Sequence, residues 1–563
     1  MSDQALEGSN EEIHSKPLRD KHPKGLYTLF ATEMWERFSY YGMRSLFTLY
    51  LTAELVSDGF GLSRQEALEL YAIFTGLVYL TPIIGGWVAD NLLGQRKTIY
   101  IGGLVMAVGQ FLLAASAFMA QDLDAESRNF LFNFGLGVLI IGNGFFKPNI
   151  STIVGEFYDD NDPMKDAAFN IFYLGINLGA ILGTFIAGGL GENVNWGYGF
   201  LAAGIGMVLS VIWLNFKEET LEIFGLAPNS EKGSTRITKK DWGHVMTYTV
   251  GLIFGTLALI FVWGMIPENI TGQITKVGFA ILILGLAYVI IRGIQKENWQ
   301  KPFSISVGFV LLFFVLDYSW DTIPESFRIY LVYAIVGILL IGLIALLVGK
   351  NSEWSRMGVI ITLAIFNIVF WAGFEQAGGT FNLFAKENTN RIIGGWEMPA
   401  TWFQNVNSLV ILIGAPLFSL LWLKLDKIKY NPRTPIKFAI GLLIGALAFY
   451  VMSGAKTIAD TGALVSPLWL VAVYVLLTLG ELMLSPIGLS MITKLAPRNL
   501  VSVVMGLWMA SFAAGNYVAG MLEGILVKYD FELYPFITMI MLGSGVALLV
   551  ISPFLNKAMK GIH

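Results

Sequence analysis

The stretch Glu33-Met-Trp-Glu36-Arg37-Phe-Ser-Tyr40-Tyr41-Gly42-Met-Arg44 decides the fold class, because it places charged residues inside a long apolar segment. At about 100° per residue, its glutamates, arginines and tyrosines fall within an arc of roughly 140° on one helix face. Charges at bilayer depth are costly, so this face must contact a partner helix or a wet cavity. One interpretation is a structural ion-pair cluster that pins helices together. The tyrosines in the same arc favour the other interpretation, a ligand-binding surface.

The composition is that of a polytopic membrane protein. Of 563 residues, 55% are hydrophobic and 14% are charged, whereas soluble domains have about one quarter charged residues. The net charge of −4 gives no reason to expect a nucleic acid as a partner. The chain contains no cysteine, and its four histidines lie in tails or at a helix edge. Proton chemistry must therefore rest on carboxylates, and we expect neither a metal nor a cofactor.

Apolar segments of spanning length recur along the chain and predict an all-α fold of two six-helix bundles. The predicted spans lie near residues 26–55, 67–92, 97–120, 129–156, 166–190 and 197–216, and near 355–385, 401–424, 434–454, 466–494, 499–527 and 533–555. The predicted domains are a cytoplasmic tail (1–24), an N-terminal bundle (25–217), an insertion (218–353) and a C-terminal bundle with a short cytoplasmic tail (354–563).

The insertion carries further apolar segments near residues 243–265, 274–292, 303–316 and 327–349. Their number should be even, because the sixth bundle helix ends and the seventh begins on the same side of the membrane. Basic residues in one intervening loop and acidic residues in the next favour four inserted helices, with two as the alternative. We interpret the insertion as a peripheral scaffold, since it carries little charge at membrane depth.

Loop charges predict that both termini are cytoplasmic by the positive-inside rule. Lysines and arginines precede the first helix and follow the second and the eighth, whereas the loops after the first and third helices are acidic. The acidic run 156–162 falls on the cytoplasmic side, but acidic residues count little in this rule.

Few ionisable residues lie at membrane depth outside the first helix, and the main ones are Lys147, Glu375 and Glu481. Pro148 directly follows Lys147, which predicts a broken helix whose freed carbonyls line a cavity. A structural hydrogen bond between helices is the alternative role for this lysine. The fourth helix, which carries Lys147, and the tenth, which carries Glu481, are equivalent helices of the six-plus-six repeat, and Gly142–Pro148 and Gly480–Pro486 share the same glycine-to-proline spacing. A cavity between them would separate opposite charges and suit a zwitterion.

Six ordered stretches resemble the motifs of the proton-coupled oligopeptide transporter (POT) family of the major facilitator superfamily. They are Glu33–Gly42, Gly85–Lys97, Phe145–Asn149, Phe169–Gly179, Phe370–Gln376 and Gly480–Pro486. The resemblance covers both bundles and implies the major facilitator fold, but it says little about residues 217–354.

The resemblance implies a peptide site between the bundles. Arg37 and Lys147 would receive the carboxylate of the peptide, and Glu481 its ammonium group. Asn177 and Asn407 would hydrogen-bond its backbone, with Asn405 as the alternative to Asn407. The residues expected to line side-chain pockets are Tyr40, Tyr41, Tyr79, Trp371 and Trp508.

The resemblance also implies how transport would be coupled and gated. Glu33 and Glu36 would be the coupling carboxylates, since a substrate carboxylate on Arg37 would remove their cationic partner and favour protonation. The pair of Arg44 with Glu375 would close the outer side, and the pair of Lys147 with Glu481 would bias the inner side. Asp90, Arg96 and Lys97 would form a latch at the cytoplasmic face.

These expectations describe a symporter, not an enzyme. It would import di- and tripeptides with protons by alternating access, as a lipid-embedded monomer in a bacterial cytoplasmic (inner) membrane. The alternative within transport is a proton-coupled carrier of another small anion or zwitterion, such as nitrate or a conjugated metabolite. A membrane-embedded protease is disfavoured because His-Glu-x-x-His, Gly-x-Ser-x-Gly and cysteine nucleophiles are all missing from the sequence. Retained coupling carboxylates argue against a pure scaffold or sensor.

Overall fold

A computed structural model describes most of the chain, and nearly all of what it describes is α-helical. The described residues are 21–159, 162, 164–227, 235–265, 276–277, 284–285, 287–295, 299–319, 341–348, 351–497 and 500–559. Most of the predicted tail 1–24, the last residues of the C-terminal tail and much of the insertion lie outside them.

The predicted arrangement of six helices plus six is confirmed. The N-terminal bundle contains α1 (Lys24–Thr52), α2 (Arg64–Leu93), α3 (Gln95–Phe118), α4 (Ala125–Glu156), α5 (Met164–Gly183, continued to Asn193) and α6 (Trp196–Lys217). Two helices of the insertion are α7 (Lys239–Met265) and α8 (Gln300–Ser319). The C-terminal bundle contains α9 (Ser352–Phe374, then Thr380–Asn388), α10 (Asn405–Lys427), α11 (Thr434–Ala459), α12 (Pro467–Leu495), α13 (Val501–Lys528) and α14 (Leu533–Ala558). The predicted domain limits stay predictions.

Among the described residues, 12 helices are long and apolar enough to cross a membrane, and they are α2 to α7 and α9 to α14. With 29 residues, α1 is also long enough to span, but its charged residues lower its hydropathy. In the insertion, α7 packs against α3 and α4. Residues 287–294 and 341–348 are helical too, so each of the four predicted inserted segments contains helical residues.

Glycines bring α5 against the charged turn of α1. Gly175, Gly179 and Gly183 recur every four residues and therefore share one face of α5. A Cβ atom at Gly179 would lie 2.2 Å from the carbonyl oxygen of Met34, and one at Gly183 would lie 2.2 Å from that of Phe38. The two backbones thus touch, which is the usual role of small residues at intramembrane helix contacts.

The prediction that Pro148 breaks the fourth helix was wrong. Helix α4 continues through Pro148 to Glu156. Proline lacks the N–H that would bond to the carbonyl of Gly144. Gly85 of α2 packs directly against that carbonyl, and a Cβ atom there would lie 1.9 Å from the oxygen. The helix thus continues through the proline, with α2 packed closely against the same turn.

Helix α9 is interrupted along its length. Its regular turns end at Phe374, a short 3-10 turn follows over Glu375–Ala377, and helix resumes at Thr380. The glycine pair 378–379 lies in the interruption. A Cβ atom on Gly378 would lie 2.1 Å from the hydroxyl oxygen of Tyr71, so only glycine lets α2 approach this closely.

Each end of the protein is named after one residue that lies there. The Ala53 face carries the loops 53–63, 119–124 and 389–399, the last of which contains a hairpin of β1 (Ile392–Ile393) and β2 (Trp396–Glu397). The Gly94 face carries Gly94, the described residues 218–227 and 235–238, and the loop 428–433.

The glycine contact predicts a packing defect in Gly183→Ala. The added methyl group meets backbone of α1 and cannot be accommodated by rotating a side chain, so we expect a loss of about 1–3 kcal/mol. The matched control is Gly543→Ala in α14, where nothing lies within 4 Å of the added atom. Thermal unfolding in detergent should show a lower midpoint for Gly183→Ala than for the control. Equal midpoints would show that the contact is loose.

Candidate functional site

Three charged residues of α1 form one buried cluster. Arg37 donates from Nη2 to Glu36 Oε1 at 2.6 Å and from Nε to Glu36 Oε2, while Nε lies 3.2 Å from Glu33 Oε1. Their side chains are at most 4% exposed. Glu33 Oε2 has no hydrogen-bond partner among the described residues. One guanidinium thus serves two carboxylates, and with both ionised the cluster keeps one negative charge.

Lys147 of α4 lies near this cluster without entering it. Its ammonium nitrogen is 4.1 Å from the centre of the Tyr79 ring, a cation–π contact. Lys147 makes no hydrogen bond or ion pair with a described residue. The predicted structural hydrogen bond between helices is therefore not the role that the structure gives it.

Glu481 of α12 is buried in the opposite bundle and is held by an amide. Asn407 Nδ2 donates to Glu481 Oε2 at 2.9 Å and to Thr478 Oγ1 at 3.0 Å. Of the two candidate asparagines, Asn407 is thus the one that contacts Glu481. Asn405 is buried, and its Oδ1 has no partner among the described residues. Glu481 likewise has no cationic partner there.

Aromatic side chains connect the two halves between these charges. The ring of Tyr79 lies parallel to that of Phe512 in α13, with centres 6.3 Å apart. Phe512 also contacts Trp371 at 4.8 Å and Trp508 at 6.2 Å. The indole N–H groups of both tryptophans are buried and lack partners in the described part of the chain. Phe512 was missed from the sequence, because a phenylalanine in an apolar helix carries no distinguishing signal.

The remaining predicted binding residues lie on the N-terminal bundle. Tyr40 and Tyr41 contact each other edge to face at 5.3 Å, and the Arg37 guanidinium lies 5.2 Å from the Tyr40 ring centre. Asn177 is buried, and its amide donates to the carbonyl of Tyr173 in its own helix at 2.9 Å. A ligand hydrogen bond to this amide would have to compete with that helix carbonyl.

The predicted pair of Arg44 and Glu375 is formed, and it joins the two bundles near the Ala53 face. Arg44 Nη2 donates to Glu375 Oε2, and both side chains are buried. Tyr71 supports the pair: its hydroxyl accepts from Arg44 Nε at 2.9 Å and donates to Glu375 at 3.2 Å. Thr48 extends the contact by donating to the carbonyl of Gly378 at 2.9 Å.

Two more polar contacts close the same face, and neither was predicted. Glu192, at the end of α5, accepts from the backbone N–H groups of Ala400 at 3.0 Å and Thr401 at 2.8 Å. Arg64, at the start of α2, donates to Glu523 of α13 at 2.7 Å. Glu192 follows a glycine-rich run, where hydrophobic periodicity gave no indication of a link between bundles.

The second predicted pair, Lys147 with Glu481, is not formed. The lysine faces the Tyr79 ring, and the glutamate is bonded to Asn407. This structure therefore combines a formed Arg44–Glu375 pair with two unpaired charges deeper in the protein.

Of the three residues predicted to form a latch at the Gly94 face, Arg96 and Lys97 make contacts with other segments of the chain. Arg96 donates to the carbonyls of Glu222, Phe224 and Thr235 at 2.6–2.7 Å, and so binds the segment that follows α6. Lys97 contacts Asp241 of α7 at 2.7 Å. Their partners thus lie within residues 218–227 and 235–241, which pack against the start of α3, and not within α2.

Asp90 was expected to share the latch with these two basic residues. It is exposed, and it accepts a 3.2 Å hydrogen bond from Gln95. Among the described residues, Asp90 therefore does not take part in the contacts of Arg96 and Lys97, and this part of the prediction was wrong.

Comparison with known proteins identifies the family. The profile of the POT family (PTR2) matches residues 96–220 and 331–539, which is more than half of the chain. This chain belongs to the POT family. Together with its apolar helices, this makes it a multi-pass membrane protein.

Similar proteins match over almost their full length. The uncharacterized transporter YclF of Bacillus subtilis (strain 168) is 34% identical over 552 residues, 96% of each chain. Peptide transporter YePEPT of Yersinia enterocolitica is 34% identical over 519 residues, covering 91% of this chain and 90% of its own. A crystal structure of a mutant of peptide transporter POT in complex with alafosfalin is 30% identical, with a TM-score of 0.71 and coverage of 97% of this chain and 98% of its own.

A POT family transporter crystallised in complex with 5-aminolevulinic acid is also similar. It is 27% identical, with a TM-score of 0.70, and the match covers 95% of this chain and 97% of that one. The matched POT proteins therefore share the whole two-bundle fold with this chain.

The contacts at the Ala53 face predict that Glu375→Gln opens it. The substitution leaves Arg44 buried without its carboxylate, a change that costs about 3–5 kcal/mol in comparable buried pairs. Because the chain has no cysteine, maleimide labelling of Leu68→Cys has no background from other cysteines and reports the exposure of this position. Leu68 is 2% exposed and lies against Gly379. In detergent, maleimide should label this cysteine at least about tenfold faster when Glu375→Gln is also present.

The control for this labelling experiment is Val56→Cys, on a loop of the same face where the side chain is 86% exposed. Its labelling rate should not change with Glu375→Gln. Equal labelling of the Leu68→Cys reporter with and without Glu375→Gln would mean that the ion pair does not keep this face closed.

Proposed function

We propose that this POT family protein is a proton-coupled symporter that imports di- and tripeptides by alternating access. One observation carries the proposal: Lys147 and Glu481 lie in opposite bundles, and neither has an oppositely charged partner among the described residues. A peptide has a carboxylate at one end and an ammonium group at the other, so one molecule satisfies both.

The energetics favour a zwitterion over a simple anion. Burying a charge without a partner raises the free energy of the protein. A complementary ligand that pairs with this charge lowers the free energy again and so binds more tightly. An anion would satisfy Lys147 and leave Glu481 unpaired, whereas a peptide pairs both charges. 5-Aminolevulinic acid, found in the related transporter, also carries an amino group and a carboxylate.

The aromatic residues would give tolerance for different side chains. Tyr79, Trp371, Phe512 and Trp508 present large flat surfaces and only a few polar atoms. Such walls add buried apolar area without demanding one shape. We assign recognition of the peptide ends to charges and backbone contacts, and accommodation of its side chains to this aromatic group.

Proton coupling is assigned to the cluster on α1. A peptide carboxylate that binds Arg37 competes with Glu33, whose contact with the guanidinium is longer than that of Glu36. Glu33 then takes up a proton at its unpartnered oxygen, so the loaded site crosses the membrane with less uncompensated charge. Binding of one ligand thereby favours the other, as thermodynamic linkage requires.

The same proposal sets the orientation and the gates. The Ala53 face is assigned to the outside and the Gly94 face to the cytoplasm of a bacterial inner membrane, in accord with the loop charges. The structure then corresponds to an outward-closed state held by Arg44 and Glu375. Release of peptide would allow Lys147 and Glu481 to pair and close the inner side. The proposed unit is a monomer in lipid, driven by the proton gradient without a cofactor.

The carboxylate-binding role predicts a selective effect of Lys147→Ala. Dialanine should lose at least about tenfold in affinity, whereas its C-terminal amide should lose little, because the amide carries no carboxylate to pair. Competition against a labelled peptide measures both affinities. Glu481→Gln is the matched comparison: it should weaken dialanine and its amide alike and affect N-acetyl-dialanine less. Equal losses of acid and amide in Lys147→Ala would contradict the assignment.

The coupling role predicts that Glu33→Gln and Glu36→Gln separate transport from the gradient. Neither variant should accumulate dialanine against a gradient, while counterflow exchange between loaded vesicles continues, because exchange requires no net proton movement. Uptake and counterflow by the same proteoliposomes measure the two activities. Gradient-driven accumulation at the unsubstituted level in both variants would remove the α1 carboxylates from the coupling mechanism.

A further inference from the structure

A cavity lined by charged residues lies at the Gly94 face of the C-terminal bundle, away from the α1 cluster. Its volume is about 500 Å³, and it is enclosed by the end of α10, the start of α11, the end of α12 and Met559 after α14. This volume is within the range of small-molecule sites. The charged residues of its lining are Asp426, Arg433, Lys437 and Lys494. Three cations against one carboxylate leave an excess of two positive charges.

Lys437 is the buried cation of this cavity. It is 8% exposed, and it forms no hydrogen bond or ion pair with a described residue. Its ammonium nitrogen lies 4.0 Å from the centre of the Trp422 ring. A cation–π contact compensates only part of the hydration that burial removes, so the ammonium group still lacks an anion.

Asn431 adds a second unsatisfied group to the lining. Its side-chain oxygen is buried and has no hydrogen-bond donor among the described residues. Arg433 is exposed at the mouth of the cavity and immediately precedes α11. A ligand with acidic oxygens for the two cations and a hydroxyl group for the amide oxygen would satisfy all three residues.

In the N-terminal bundle, backbone carbonyls surround the buried basic residue at the corresponding position. Helices α3 and α11 are the third helices of their bundles, and each has a buried basic residue in its first turn: Arg96 in α3 and Lys437 in α11. The carbonyls of Glu222, Phe224 and Thr235 fill the space around Arg96. At Lys437, none of the described residues supplies a comparable acceptor.

We propose that this cavity binds a phosphate-bearing anion through Lys437 and Arg433, with Lys494 adding positive charge. A phosphate group offers several acidic oxygens to converging cations and matches the excess charge. Two sources share this chemistry: the headgroup of an anionic phospholipid, and a free phosphate or phosphate ester in the cytoplasm. The site is separate from the proposed peptide site and does not depend on the proposed function.

The test compares a variant that lacks two cations of the cavity with a control that lacks two nearby cations outside it. The cavity variant is Lys437→Gln with Arg433→Gln. The control is Lys424→Gln with Lys427→Gln, which removes two cations from the end of α10 that do not line the cavity. Native mass spectrometry measures retention of phosphatidylglycerol against phosphatidylcholine. Thermal unfolding in detergent measures the effect of inorganic phosphate and glycerol 1-phosphate. Arg433→Gln alone serves if the double variant does not fold, because Arg433 is exposed.

We expect the cavity variant to bind its anion about tenfold more weakly or worse, and the control to bind as the unsubstituted protein does. Selective loss of phosphatidylglycerol adducts would identify a lipid headgroup as the ligand. Selective loss of stabilisation by the soluble phosphates would identify a free anion. Equal binding by all three proteins, or equal losses in both double variants, would overturn the proposal, since either result would mean that general surface charge explains the binding.

Discussion

The guanidinium of Arg37, bonded to Glu36 and shared with Glu33, forms the buried charge cluster of the N-terminal bundle. Two carboxylates and one guanidinium lie at bilayer depth on α1, almost wholly out of water. A charge in that environment must be paired, hydrogen-bonded or neutralised by a proton. The glycine face of α5 seals one side of this region by backbone contact. Lys147 of α4 supplies a further buried charge, held against the ring of Tyr79. The cluster is therefore both a structural ion pair and a site poised to exchange partners.

The same rule explains why the two bundles meet where they do. Near the Ala53 face, Arg44 and Glu192 have partners across the interface: Tyr71 bridges Arg44 and Glu375, and Glu192 accepts hydrogen bonds at the start of the segment that leads into α10. Deeper in the protein, Lys147 and Glu481 are held by an aromatic ring and an amide. These partners compensate a charge less fully than an opposite charge does. Lys147 and Glu481 can thus each pair with a ligand or, after the bundles move, with each other.

Much of this arrangement could be predicted from the sequence, and the failures have physical causes. Hydropathy identifies long apolar helices because each must span the same thickness, and the charged arc of α1 follows from the helical repeat. Periodicity gives the face of a residue but not its partner. The bond from Asn407 to Glu481 therefore became visible only in three dimensions.

The errors have the same origin. Pro148 lies in a continuous helix, with Gly85 of another segment packed against the carbonyl of Gly144, a contact that no local pattern reveals. Asp90 was grouped with Arg96 and Lys97 because they are close in sequence, whereas the basic residues bind a segment more than one hundred residues away.

Proton-coupled peptide import can be measured as uptake of labelled dialanine by proteoliposomes of the unsubstituted protein, with and without an inward proton gradient. We expect accumulation above the external concentration only when the gradient is present, and collapse of that accumulation when a protonophore is added. No uptake by folded, correctly oriented protein would contradict this expectation, and would favour a carrier of another small anion or zwitterion, with nitrate the first to assay.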